Sequence, residues 1–277
     1  LGDVYKRQVF TKFNNPEKNL SNHYEGKVLG EIWGYRVDGL FASDEEAAEY
    51  TSKINQDAVN ERILTDKVDP YYRAGDLKFR DLDGDNVISK GDDTAYDAGD
   101  REIIGNETPR YMYSFRLGAD WNGFDLGIFF QGVGKRDWYP NYLSTGFWGP
   151  YSRAFTSFIP ENFMDQCWSE ENRDGYFPRF RGYQTFAGSQ LGVNNDRYLQ
   201  DASYIRLKNL TVGYTLPVLK KVFTKLRVYF TGENLWYWSP MLKHTKYIDP
   251  EAAGGNGNTG MAYNYSRNFS VGVDITF

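Results

Sequence analysis

One cysteine in 277 residues, Cys167, leaves no partner for an internal disulfide. Histidine is almost as scarce. His23 and His244 are the only two, too few for a histidine-built zinc site or a histidine-centred catalytic apparatus. A basic excess is missing too: 32 Lys and Arg stand against 37 Asp and Glu, for a net charge of -5. Without a basic patch to displace phosphate counterions, nucleic acid is excluded as a partner. No apolar run approaches the ~20 residues of a membrane helix, which excludes a helical membrane protein. A barrel stays open, because alternating strands dilute hydropathy. The chain also lacks an initiating Met, and its opening octet LGDVYKRQ has neither an apolar core nor a cleavage site. Residues 1–8 resemble an adapter or assembly scar. Residues 9–277 are therefore expected to be one segment of a longer chain whose N-terminal part is missing.

Aromatic residues, by contrast, are abundant: 22 Tyr, 19 Phe and 7 Trp make up 17% of the chain. Girdles at two membrane interfaces would use that surplus, as would a sugar-binding surface. The final nine residues, FSVGVDITF, place Phe269, Val271, Val273, Ile275 and Phe277 on one face of a strand, with Ser270, Gly272, Asp274 and Thr276 on the other. Such a tail suits the closing strand of an outer-membrane barrel and, equally, an edge strand of a soluble sandwich.

The same alternation recurs upstream. Tyr111 to Trp121 reads as a strand, the Asn122-Gly123 pair as a two-residue hairpin turn, and Phe124 onward as the returning strand. Tyr198 to Pro217 reads as a third, with a parity slip at Lys208-Asn209 that predicts a β-bulge. Leu226 to Phe230 starts another, Lys27 to Phe41 reads as one more, and Val9 to Phe13 ends a further one. That makes about seven long strands, fewer than the eight or more that close a single-chain barrel. With the C-terminus placed in the periplasm, the turns at 122–123 and 217–225 fall inside and are short. The connections 42–109, 134–197 and 239–262 fall outside and are long. Short inner turns with long outer loops are the habit of membrane barrels. The expected fold class is all-β: the C-terminal portion of a transmembrane antiparallel β-barrel with long extracellular loops.

Several segments, in order along the chain, resemble the C-terminal part of SusC/RagA-type TonB-linked outer-membrane transporters. They are GDLKFRDLDGD (75–85), IGNETPRY (104–111), FFQGVG (129–134), YIRLKNLTVGYTLP (204–217), TGENL (231–235) and the terminal Phe277. The resemblance implies a plugged barrel of about 22 strands. It further implies energy from TonB–ExbB–ExbD through the missing N-terminal part, a SusD-like surface lipoprotein as partner, and contact with outer-membrane lipid. The cargo it implies is a glycan or a peptide. No plug or TonB box lies within these residues. A soluble carbohydrate-binding β-sandwich and a β-rich glycoside hydrolase are the alternatives.

One motif is chemically pointed. Asp81, Asp83, Asp85, the Val87 carbonyl, Ser89 and Asp92 occupy the ligand spacing of a calcium loop, with Ile88 at its usual apolar position. Position six is Asn86 where Gly is usual, and Asp92 stands where a longer Glu would reach. Ca2+ is the one cofactor expected, against a plain solvated acidic turn. Trp138, Tyr139, Tyr142, Phe147, Trp148 and Tyr151 form an aromatic outer loop. Trp138, Tyr139, Tyr142, Trp148 and Tyr151 are the candidates for substrate or partner contact, although packing the long loop would also use them. Trp236, Tyr237 and Trp238 suit an aromatic girdle, and Arg206, Lys208 and Arg227 suit a wet lumen. No catalytic set stands out: Glu161, Asp165, Glu170, Glu171 and Asp174 are the carboxylates a chain this acidic carries by chance, and enzymatic activity is not expected.

Overall fold

The structure is a computed structural model that describes residues 8, 13–64, 71–153, 155, 159–186, 188–217, 224–253 and 264–277. The chain divides into two compact units. One comprises residues 109–136, 201–252 and 263–277, the other residues 1–108, 137–200 and 253–262.

The first unit is an antiparallel sheet of Tyr111–Trp121 (β1), Phe124–Gly134 (β2), Tyr204–Leu216 (β3), Lys225–Trp238 (β4) and Asn268–Thr276 (β5). The order is β5-β4-β3-β2-β1, so each strand pairs with its neighbours in sequence. Asn122 and Gly123 both take positive φ (48° and 87°), the backbone that a tight hairpin between twisted strands demands. The expected bulge is present: β2 pairs Phe129 with Asn209 and Phe130 with Leu207, skipping Lys208. Strand β4 jumps at the same level, from Glu233 to Trp236, with Asn234 at φ 52°. Antiparallel order places the 122–123 turn and the 217–224 connection at one end of the sheet. The longer connections leave from the other end. Residues 218–223 of the expected turn lie outside the described residues.

Register decides which side chains share a face. Ala119, Leu126, Val212, Phe230 and Val271 form one row across all five strands. Trp121, Phe124, Tyr214, Val228 and Val273 form the next. Phe115 stacks on Phe130 with centroids 4.8 Å apart, and Phe124 meets Tyr214 at 4.5 Å. These rows continue without a polar interruption, yet they are not a core: Val271 is 77% exposed and Trp121 76%.

The second unit is built from short pieces. Glu31–Tyr35 pairs with Arg101–Asn106, and Val37–Leu40 pairs with Leu77–Phe79. The strand expected over 27–41 is therefore two, because the chain changes partner at Arg36. That guanidinium pairs with Glu102 and with Asp196, the latter at 3.1 Å. Residues 9–12, expected to belong to a further strand, lie outside the described residues. Helix Asp44–Thr51 starts where Ser43 accepts a bond from the Glu46 amide, and Asp44, Glu45 and Glu46 place negative charge on its first turn. No described helix is long and apolar enough to cross a membrane.

Candidate functional site

The sheet of the first unit has a second face, and it is charged. Arg227 on β4 holds Asp125 on β2 with two bonds, Nε to Oδ1 at 2.8 Å and NH2 to Oδ2 at 2.6 Å, and reaches Asp274 on β5 at 3.0 Å. The first pair spans the intervening β3. It can do so because Gly213 has no side chain: a Cβ there would meet Asp125 Oδ2 at 2.6 Å and Arg227 Nε at 2.7 Å. Nearer the other end, Arg206 is 1% exposed and pairs with Asp249, while Lys208 pairs with Glu251 at 2.8 Å. Arg206 also sits over the Tyr237 ring, 4.7 Å from its centroid. The three cations expected on the lumenal face thus share one face and are neutralised there by carboxylates. Trp236 and Trp238 project from the apolar face, each about half exposed, on the rows that also hold Phe115 and Tyr113. Trp121 and Phe124 mark the opposite end. Aromatic residues therefore bracket the apolar face at both ends, as at two membrane interfaces.

In the second unit the acidic loop closes differently from the twelve-residue template. Asp81, Asp83 and Asp100 bring carboxylate oxygens within 4.8 Å of one another. Asp81 is held by the Gly84 and Asn86 amides at 2.7 and 2.9 Å, and Asn86 takes φ 65°, the left-handed backbone its position requires. Asp85 caps the Val87 amide, Ser89 Oγ accepts from the Gly91 amide, and the Asp92 amide turns to Asp97. Of the expected carboxylate ligands, then, Asp81 and Asp83 converge, while Asp85 and Asp92 stand outside the convergent group. Asp100 joins in their place. It is fully buried, and its oxygens accept from the Leu82 and Ser89 amides at 2.7 Å each. Burial pushes the Asp100 carboxyl above the usual range; the two amides oppose this, and the charges of Asp83 and Asp81 add to it. Ile88 is fully buried, as its place in the template requires.

The aromatic loop is mostly core. Phe147, Trp148, Tyr151, Phe163, Phe177 and Tyr198 pack ring against ring, with centroids such as Phe147–Trp148 at 4.7 Å and Phe163–Phe177 at 5.1 Å. Trp148 and Tyr151 present no exposed surface, and Trp138 is 3% exposed. The Trp148 indole donates to Asn141 O and the Tyr151 hydroxyl to Pro178 O, so their polar atoms are engaged internally. Three of the expected contact residues, Trp138, Trp148 and Tyr151, are thus buried in the packing of the loop. Tyr142, 48% exposed, and Tyr139, half-buried, keep open surface.

No protein-family model matches the chain. TonB-dependent receptor P3 of Formosa agariphila is 30% identical over 269 residues, which cover 91% of this chain and 22% of that protein. Receptor P26 of the same organism is 28% identical over 216 residues, 73% of this chain and 20% of its own length. The structure of the RagAB peptide transporter superposes with a TM-score of 0.55 at 21% identity, covering 92% of this chain and 24% of that one. The closed-closed state of the RagAB peptide importer gives 0.52 at 22%, over the same shares. The chain spans about a fifth of the length of the relatives it matches. Sheet, register and relatives together define a stretch of barrel of the TonB-dependent receptor class. The chain belongs to the TonB-dependent receptors, and it shares its fold with the RagAB structures.

Proposed function

We propose that this chain supplies the C-terminal strands and outer loops of an outer-membrane importer. TonB–ExbB–ExbD energises it through residues outside this chain, and it passes oligosaccharides or peptides delivered by a SusD-like surface lipoprotein. The observation that carries this reading is the two-sided sheet. A continuous apolar face, exposed and bracketed by aromatics, is the surface a barrel offers to lipid, and the charged face behind it suits a wet lumen. A β-sandwich would bury those rows against a second sheet. The receptor and transporter names of the relatives speak for uptake over catalysis. The test is uptake in the source bacterium: deleting the gene that carries this chain should abolish import of one class of labelled oligomer, as should deleting tonB. A SusD-like lipoprotein should co-purify with the receptor. Unchanged uptake of every oligomer in the deletion strain would sink the reading.

The acidic loop is given calcium in the same proposal. Asp81, Asp83 and Asp100 supply the oxygens of a hard-cation site and repel one another without one. Adding calcium to the chelator-treated receptor should slow amide exchange across residues 81–100, and Asp100→Asn should abolish that response. Exchange that ignores calcium in the unmodified protein would leave the loop as a self-capped turn.

A further inference from the structure

The connection that follows β4 turns back over the charged face of the sheet, where Arg206 and Lys208 meet it. Residues 239–252 form a short strap with turns of its own. Pro240–Lys243 is one turn of 3-10 helix, the Thr245 hydroxyl donates to Met241 O at 2.8 Å, and the Ile248 amide donates to Thr245 O at 3.1 Å. Asp249 caps the end, its Oδ1 accepting from the Glu251 amide at 2.9 Å. The strap is two-sided. Met241, Thr245, Ile248 and Asp249 are buried, whereas Lys243, Lys246 and Tyr247 are exposed.

Side chains tie the strap to the sheet. Arg206 pairs with Asp249 and brings its Nε to 3.1 Å from Glu251, and Lys208 donates to both Glu251 oxygens at 2.8 Å. The Tyr265 ring covers both cations, 5.1 Å from the Arg206 guanidinium and 4.7 Å from the Lys208 ammonium. Arg136, just past β2, donates to Pro250 O at 3.2 Å. A strap that starts from β4 is thus held over β3 and beside the end of β2. Ion pairs are a poor choice for this seat if stability is their only role. Taking the charges out of water costs about what their attraction returns, and an apolar seat of the same shape would hold as well. What paired charges add is one defined position, and a hold that is lost when either partner is withdrawn. A segment with its own turns, joined at its ends to strands, can then lift as a body.

We infer that residues 239–252 are a latched strap: the Arg206–Asp249 and Lys208–Glu251 pairs hold it against the wall of the passage, and their release lifts it. The inference rests on the import reading only in taking the charged face as the wall of a passage. The test introduces Ile248→Cys into the detergent-purified receptor that carries this chain and follows labelling by a polar maleimide. Cys167 is buried, so the receptor without Ile248→Cys supplies the background. With the latch intact, the introduced thiol should label slowly. Glu251→Gln, which leaves Arg206 its pair with Asp249, should speed labelling at least tenfold, and Lys208→Gln severalfold. Adding Lys208→Gln to Glu251→Gln should change little, because both open the same pair. Heat-modifiable migration on gels should be unchanged throughout, which separates a lifted strap from an unfolded barrel. If Glu251→Gln loses that migration, Lys208→Gln decides alone, since it keeps both carboxylates on Arg206. Fast labelling with the latch intact, equally slow labelling in every variant, or fully additive effects would overturn the inference. Labelling needs no cargo, so the two readings fail separately. Uptake that persists while labelling ignores the latch refutes the strap alone, whereas latch-dependent labelling in a receptor without TonB-dependent uptake refutes the importer.

Discussion

Asp76→Ala is expected to unfold the unit that carries the acidic loop, at a cost of about 3–5 kcal/mol. Asp76 is fully buried, and Arg181 retains only 5% exposure of its side chain. Arg181 grips the carboxylate from two sides, Nε to Oδ1 at 3.0 Å and NH2 to Oδ2 at 2.7 Å. The Arg73 amide and the Gln190 side chain bond to it as well, at 2.9 and 3.3 Å. Gln190 returns its own oxygen to the Leu77 amide at 2.6 Å, and Gln56 closes the Leu77–Phe79 strand from its other side. Removing the one carboxylate therefore takes the counter-charge from a buried guanidinium, which keeps its bond to the Tyr71 carbonyl at 2.9 Å, and unmakes the bonds of two further donors; unmade buried bonds cost more than made ones contribute. Asp76 and Arg181 are 105 residues apart, so the pair ties the start of the unit to its end. Limited proteolysis and amide exchange should find residues 71–108 and 160–198 opened together in Asp76→Ala, and the five-stranded sheet still protected. Arg181→Met, which leaves a carboxylate without its cation, should behave alike. The double substitution Asp76→Leu/Arg181→Met should recover part of the loss, because an apolar pair leaves no orphaned charge. Wild-type protection across both segments in Asp76→Ala would show that the pair contributes little.

Much of the sheet was legible in the sequence, and the reason is geometric. Alternation has period two whatever a strand pairs with, so Tyr111–Trp121, Phe124–Gly134 and Asn268–Thr276 declare themselves locally. The Asn122-Gly123 turn and the slip at Lys208 are local signals as well, and both appear where expected. Partner choice is not local. Lys27 to Phe41 alternates well enough to read as one strand, but Tyr35 pairs with Arg101 and Val37 with Phe79, and no periodicity encodes that change. The acidic loop meets the same limit. A twelve-residue template stops at Asp92, whereas the third convergent carboxylate is Asp100, eight residues further on; the density of acid residues from 81 to 100 was the only available hint. In the aromatic loop, residue type announced a cluster without saying which side faced water. Trp148 and Tyr151 were as plausible on the surface as Tyr142 until burial separated them.

Charge placed on the apolar face should be far less tolerated than the same charge one residue away. Val212 sits mid-row between Leu126 and Phe230, with 40% of its surface exposed. In water that exposure would make Val212→Arg nearly neutral, because a surface arginine on a strand is solvated at little cost. In lipid the same arginine costs about 2–4 kcal/mol near the bilayer midplane. Thr211 is the control: adjacent in the strand, it points to the charged face and bonds across to Thr231 at 3.3 Å. Thr211→Arg meets water and neighbouring polar groups there, so loss of a threonine–threonine contact is the whole expected penalty. Assembled receptor in outer-membrane fractions, judged by heat-modifiable migration on gels, should fall severalfold for Val212→Arg and stay near wild type for Thr211→Arg. The opposite ranking would place water on the apolar face and lipid on the charged one, which Arg227, Asp125 and Asp274 could not survive unsolvated. Equal tolerance of both substitutions would mean that neither face meets lipid, and the exposed rows from Trp121 to Val273 would then need a protein partner to cover them.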